Sequence, residues 1–161
     1  MAGYPAEGVD FFITRPGVVG STLRVTVRGG AGAVFALPIQ VDPEIVDPTI
    51  THTTWTVRYD DGGDDDPQRQ CVITTSDDQI SLGNTFRVND GVVYGGYVKC
   101  FDSDPAQDQV WTIRPAAGGY TIGRQQNGVG PEFTWNFVVG DRVGVSIDAA
   151  PQAWQFVPVE E

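Results

Sequence analysis

The chain has 161 residues, with 21 Asp and Glu against 10 Lys and Arg and a formal charge of −11. That length suits one domain, able to bury roughly two-thirds of its unfolded surface without a metal or disulfide. The acidity argues against nucleic acid and anionic membrane as partners, because their phosphates need a basic face. Twenty Gly and eleven Pro beside 40% hydrophobic residues point to short strands and tight turns, since helix interiors tolerate neither residue. No convincing helix is present, and no apolar run reaches membrane-spanning length.

Residues 1–8, with Gly3, Pro5 and Gly8, read as a loose polar lead-in. The first apolar cluster, at 9–13, has no charged start and is too short for a signal segment, so a cytoplasmic location is expected, or secretion by a route that leaves no mark in the sequence. Alternation predicts strands over 11–14, 23–27 and 35–41. Leu23, Val25 and Val27 then point inward, and Arg24 and Arg28 face solvent. Arg28 falls at the tip of the hairpin loop Arg28-Gly29-Gly30-Ala31-Gly32. Residues 43–54 read as a long connection carrying the single histidine, His52. A zinc site there would need both cysteines and a carboxylate, so no metal is expected.

Trp55-Thr56-Val57-Arg58 begins a strand that leads into the acidic loop Asp60-Asp61-Gly62-Gly63-Asp64-Asp65-Asp66. Its carboxylates lack the alternating spacing and the twelfth-position Glu of an EF-hand loop. A solvated hairpin tip, extended by its own repulsion, is the simpler reading. Strands are expected at 71–73, 79–82 and 91–101, the last carrying Tyr94 and Tyr97 beside glycines. Those rings either cover bare backbone or offer a face to a sugar or peptide. Cys71 and Cys100 lie in strand-like runs, where cysteine acts as a small buried apolar group; two thiols are expected, with one bridge as the alternative. Residues 109–115 form a strand that turns at Gly118-Gly119 into 120–122. A polar turn over 123–130 precedes strands at 133–137 and 142–147, and Trp154-Gln155-Phe156-Val157-Pro158 ends the chain.

Trp55, Trp111 and Trp154 recur at intervals of 56 and 43 residues, which marks three units, roughly 10–57, 70–113 and 119–157. A second marker, an apolar strand ending in Asp and then Pro, recurs at Asp42-Pro43, Asp102 to Pro105 and Asp148 to Pro151. The last tryptophan strand has no strand after it and the strand at 11–14 has no tryptophan strand before it. Pairing the two ends predicts a closed all-β barrel of three lobes in a single domain. Trp135 stands outside the register of the other three.

No enzyme is expected. The lone histidine has no recognisable Ser, Cys or Asp partner, and no Gly-rich phosphate loop follows a strand and opens a helix.

At the tryptophan strands the sequence resembles the β-trefoil proteins. Gln109-Val110-Trp111 and Gln152-Ala153-Trp154 match the Q-x-W signature of the ricin-B-like branch, and the first unit departs from it with Thr53-Thr54-Trp55. Val110-Trp111-Thr112-Ile113, Gly118-Gly119-Tyr120-Thr121-Ile122 and the closing Trp154 to Val159 are similar to mushroom trefoils, which include fruiting-body serine-protease inhibitors, cysteine-protease inhibitors and lectins. The resemblance implies a fungal, monomeric defence protein without cofactors. In the serine-protease inhibitors a surface loop presents Arg or Lys to the primary pocket of a trypsin-like enzyme. Carried over, that role falls on Arg28, with Val27, Gly29 and Gly30 as its protease-contacting neighbours. In the lectins a sugar site uses a tryptophan shortly after a Gln-Ile pair and aromatics just before the Q-x-W tryptophan. Here Ser81-Leu82 follows Gln79-Ile80, and Gln109 stands where an aromatic would help. Glycan binding through Tyr94, Tyr97, Phe101 or Trp135 is therefore the alternative to inhibition of a trypsin-like protease, and cysteine-protease inhibition comes third.

Overall fold

The computed structural model describes residues 4–16, 22–28, 40–43, 50–52, 54–59, 70–76, 80–84, 86–94, 98–102, 110–126, 129–138, 142–147 and 152–159. Their regular structure is entirely β. In chain order the strands are β1 (Phe11–Pro16), β2 (Thr22–Arg28), β3 (Gln40–Pro43), β4 (Ile50–His52), β5 (Trp55–Tyr59), β6 (Gln70–Thr75), β7 (Ile80–Gly83) and β8 (Arg87–Asn89). They continue with β9 (Val92–Tyr94), β10 (Lys99–Asp102), β11 (Trp111–Ala116), β12 (Gly119–Gln126), β13 (Val129–Val138), β14 (Arg142–Ser146) and β15 (Gln155–Pro158). Thirteen strands join one antiparallel sheet, while β8 and β9 form a separate pair. Among the described residues no helix is long and apolar enough to cross a membrane.

The chain ends pair as the sequence predicts: β1 and β15 run antiparallel from Phe11 opposite Pro158 to Thr14 opposite Gln155. The N–H of Val159 also donates to the Asp10 carbonyl at 3.0 Å. Strand β5 pairs with β6 along its whole length and touches β1 at Phe11–Trp55. Strand β11 joins β6 at Trp111–Cys71 and β12 from Thr112 to Ala116.

Period-2 alternation decides what is buried. Trp55 and Val57 in β5, Cys71 and Ile73 in β6, and Trp111 and Ile113 in β11 face a common core with Ile13, Val25, Leu82, Ile122, Trp135 and Trp154. A buried indole removes about 150–250 Å² from water, roughly 4–6 kcal/mol at about 25 cal/mol/Å². Three of the four also satisfy their N–H in the same way. Trp55 Nε1 donates to the Val25 carbonyl at 3.0 Å, Trp111 Nε1 to that of Leu82 at 2.8 Å, and Trp154 Nε1 to that of Trp135 at 3.1 Å. Each of these tryptophans also lies opposite a residue of another strand, at Phe11, Cys71 and Tyr120.

Several boundaries differ from the sequence reading, each for a tertiary reason. Residues 4–10 are held rather than loose: Tyr59 donates its hydroxyl to the Pro5 carbonyl and its N–H to Glu7 Oε1 at 2.8 Å, and Tyr4 stacks edge-on against the same ring. The connection at 43–54 contains β4, which pairs with β2. The expected turn at 123–130 is mostly strand. At Gly123 a Cβ would lie 2.7 Å from the Phe133 carbonyl oxygen, so a glycine is what lets β13 approach this closely. Of the stretch at 91–101, Gly91 belongs to a turn between β8 and β9, and the described remainder falls into β9 and β10. Cys71 carries a buried thiol; Cys100 lies in β10, opposite Leu82.

Candidate functional site

Strand β2 carries the residues that the sequence assigns to protease contact. Its middle is tied to the core by Val25, whose side chain is fully buried and whose carbonyl receives the Trp55 indole. Arg24, next to it, lays its guanidinium on the Phe12 ring, 3.8 Å from the centroid, so it is stacked on the fold rather than reaching into solvent.

The backbone of β2 has a partner at every residue, and partners on both edges at Leu23 and Arg24. Strand β1 covers Thr22 to Arg24, and β3 covers Leu23 to Thr26, with Thr26 opposite Gln40. Beyond the reach of β3, β4 continues the support with Val27 opposite His52 and Arg28 opposite Ile50, after a register shift between Val27 and Arg28. Arg28 is thus the last residue of a strand, because a segment read as connection supplies a partner. Gly29 and Gly30 lie outside the described residues, as does the acidic loop at 60–66.

Besides Arg24, three other arginines are engaged within the fold. Arg15 Nη1 donates to Gln152 Oε1, and its guanidinium lies 5.6 Å from the centroid of the Trp154 ring; burial lowers its pKa from the usual arginine value. Arg114 forms a 2.9 Å ion pair with Glu132. Arg124, only 7% exposed, donates from Nη1 to both the carbonyl and the side-chain oxygen of Asn84 at 2.9 Å and covers the Phe86 ring at 4.8 Å. Arg15 and Arg124 are thus committed to packing, and Arg114 to its ion pair.

Three of the aromatic candidates lie on different strands, Trp135 on β13, Phe101 on β10 and Tyr94 on β9. Trp135 is 0% exposed and packs edge-on between Trp111 and Trp154, with ring centroids 5.4 and 5.8 Å away. It cannot offer a face to a sugar. Its place outside the register of the other tryptophans is explained by its neighbours: it occupies the acceptor position that Val25 and Leu82 hold for Trp55 and Trp111. Phe101 is half-buried on β10, opposite Ser81. Tyr94 ends β9 opposite Arg87, and Tyr97 lies outside the described residues.

The sequence reading missed the β8–β9 hairpin. The signal for it was present: Asp90-Gly91 is a hairpin-turn dipeptide between apolar runs. Both residues take positive φ, 52° and 78°. At the hairpin's foot Asn84 is fully buried against Arg124, and Phe86 packs on Phe133 at 5.0 Å.

Compared with known protein families and with curated proteins, the sequence matches none.

Proposed function

We propose that the protein inhibits a trypsin-like serine protease, with Arg28 as the residue that enters the primary specificity pocket and Val27, Gly29 and Gly30 as its contacts. The observation that carries this reading is the pairing of β2. Its backbone is extended and supported by β4 at Val27 and Arg28, and its root is pinned by the Trp55–Val25 bond. A cleft that recognises peptides by backbone pairing takes an extended chain. Support from neighbouring strands lowers the ordering cost that Gly29, Gly30 and Gly32 would otherwise add.

The fold assumed for this role is a three-lobed β-trefoil of the mushroom type. Its support is the antiparallel pairing of the two chain ends, β1 with β15. The tryptophan-to-carbonyl bond found once in each third of the chain points the same way.

In such a complex the guanidinium makes a bidentate, charge-assisted pair with the carboxylate at the pocket base. Truncating an anchor of this kind costs upwards of about 2 kcal/mol, or more than roughly thirtyfold in affinity. Titration of trypsin with Arg28→Glu should therefore show inhibition lost with an unchanged thermal transition, while Lys99→Ala and Arg142→Ala inhibit like the wild type. Wild-type inhibition by Arg28→Glu would overturn the assignment and make Lys99 the next candidate.

A further inference from the structure

Among the described residues Asp90 is the one non-glycine with positive φ, at 52°, and Gly91 follows it at 78°. Together they make the mirror-image two-residue turn of hairpin β8–β9, closed by the pair Asn89 and Val92. All four residues are exposed. Asp tolerates this backbone region better than most side chains, though less easily than glycine does. Little else braces the turn: among the described residues β8 and β9 pair only with each other, and an isolated two-stranded hairpin is marginal in water.

The same dipeptide sets an electrophile beside a nucleophile. A bond from the Gly91 nitrogen to the side-chain carboxyl carbon of Asp90 closes a five-membered ring, and glycine has no Cβ to hinder the approach. The turn bond runs between the outer residues of a β-turn, so the Gly91 N–H is not tied into the ladder. In this turn type the nitrogen faces away from the Asp90 Cβ, and rotating the Asp90–Gly91 peptide unit brings it alongside. That rotation changes only ψ of Asp90 and φ of Gly91. Glycine accepts either sign of φ, so the flanking strands can stay paired while it happens.

We infer that Asp90 is a modification site, at which the Asp90–Gly91 link converts spontaneously to isoaspartate through a succinimide. The Gly91 nitrogen attacks the carboxyl carbon of Asp90 in its acid form; the new C–N bond forms, the C–OH bond breaks, and the hydroxyl leaves with the amide hydrogen as one water. Water then adds back to the ring. Breaking the new C–N bond restores aspartate, whereas breaking the original one routes the chain through the side-chain carbon and frees the α-carboxylate. The isoaspartyl backbone is longer by one methylene and no longer suits a two-residue turn, so the Asn89–Val92 pair is released. The foot of the hairpin stays, because Arg124 holds Asn84 and covers Phe86, and Val98 donates its N–H to the Val143 carbonyl at 2.9 Å. Strand β2 takes no part, so this inference and the Arg28 reading stand or fall separately.

The experiment ages the full-length protein at neutral pH and physiological temperature, both native and in urea. Peptides are then mapped with an endoproteinase that cuts before aspartate but not before isoaspartate. A peptide of unchanged mass, left uncut at residue 90, should accumulate and accept a methyl group from S-adenosylmethionine when isoaspartyl methyltransferase is added. Its native rate should lie within about tenfold of the rate in urea, since a hairpin bound to no other strand opens at little free energy. Aged protein should keep its thermal transition. Gly91→Ala, which puts a Cβ beside the attacking nitrogen, should slow accumulation by more than about threefold. Mapping separates this site from Asp61-Gly62 and Asn127-Gly128, which lie outside the described residues, and Asp61→Glu should leave residue 90 unaffected. Absence of isoaspartate at residue 90, a native rate more than about tenfold below that in urea, or undiminished accumulation in Gly91→Ala would overturn the inference.

Discussion

Trp111 and Trp135 lie edge to face 5.4 Å apart, both fully removed from water, yet they stand in opposite positions in the core's polar accounting. Trp111 donates its indole N–H to Leu82. Trp135 accepts Trp154 on its carbonyl, and its own Nε1 is buried without a hydrogen-bond partner among the described residues. The same side chain is therefore a bonded anchor in one place and a space-filler in the other. Area burial alone would rate them equal; the hydrogen bond separates them, because an orphaned buried N–H costs about 1–3 kcal/mol that a satisfied one does not.

The severest way to test the anchors is to remove one with its strand. Deleting residues 154–161 takes away Trp154, the β1–β15 ladder and the donor to the Trp135 carbonyl. A loss of that size is comparable with the roughly 5–15 kcal/mol stability typical of a domain, so the truncated protein should show no cooperative thermal transition. A retained transition would mean that the chain ends do not hold the fold.

Gly119→Ala attacks the same anchor from the other side. Gly119 has φ of 147°, and a Cβ there would sit 2.2 Å from the Trp154 carbonyl oxygen, which receives the Tyr120 N–H at 2.8 Å. Backbone strain and the clash should together cost about 2–3 kcal/mol in denaturant melts. A loss under about 0.5 kcal/mol would show that this contact relaxes freely.

The sharpest form of the comparison is the pair Trp111→Phe and Trp135→Phe. Both shrink a buried ring, but the first leaves the Leu82 carbonyl without its donor and the second removes an unpartnered N–H. Trp111→Phe should be the more destabilising by about 1–3 kcal/mol, read as a shift in the denaturation midpoint at constant m. Equal losses would mean that packing, not the hydrogen bond, distinguishes the two sites.

The smallest expected effect is an alkaline one at the partner of Trp154. Burial raises the Tyr120 phenol above its ordinary value of 10.0. Below about pH 10 both folded and unfolded states keep this proton and stability is unaffected; as pH rises further the unfolded state loses it first, so stability falls. Tyr120→Phe should make that alkaline limb shallower, and identical alkaline limbs would rule out a contribution from Tyr120.

Strand patterns and spacings were enough to read the all-β class, the core positions of Trp55, Trp111 and Trp154, and the pairing of the two chain ends. All of these follow from period-2 alternation and from the need to bury large apolar rings, properties that a short stretch of chain carries by itself. The choice of partners was not carried locally. That Ile50–His52 would extend the support of β2 to Arg28 depends on where a segment over twenty residues away arrives. That Trp135 would fill the slot held elsewhere by Val25 and Leu82 depends on a carbonyl meeting an indole nineteen residues further on. The Asp90-Gly91 turn is written in two residues, but its clamped foot needs Arg124, from β12, to meet Asn84 and Phe86. Sequence sets which face of each strand is apolar. Which distant strand meets that face is decided only when the whole core closes, because burial is shared among elements and no single element can satisfy its own edges.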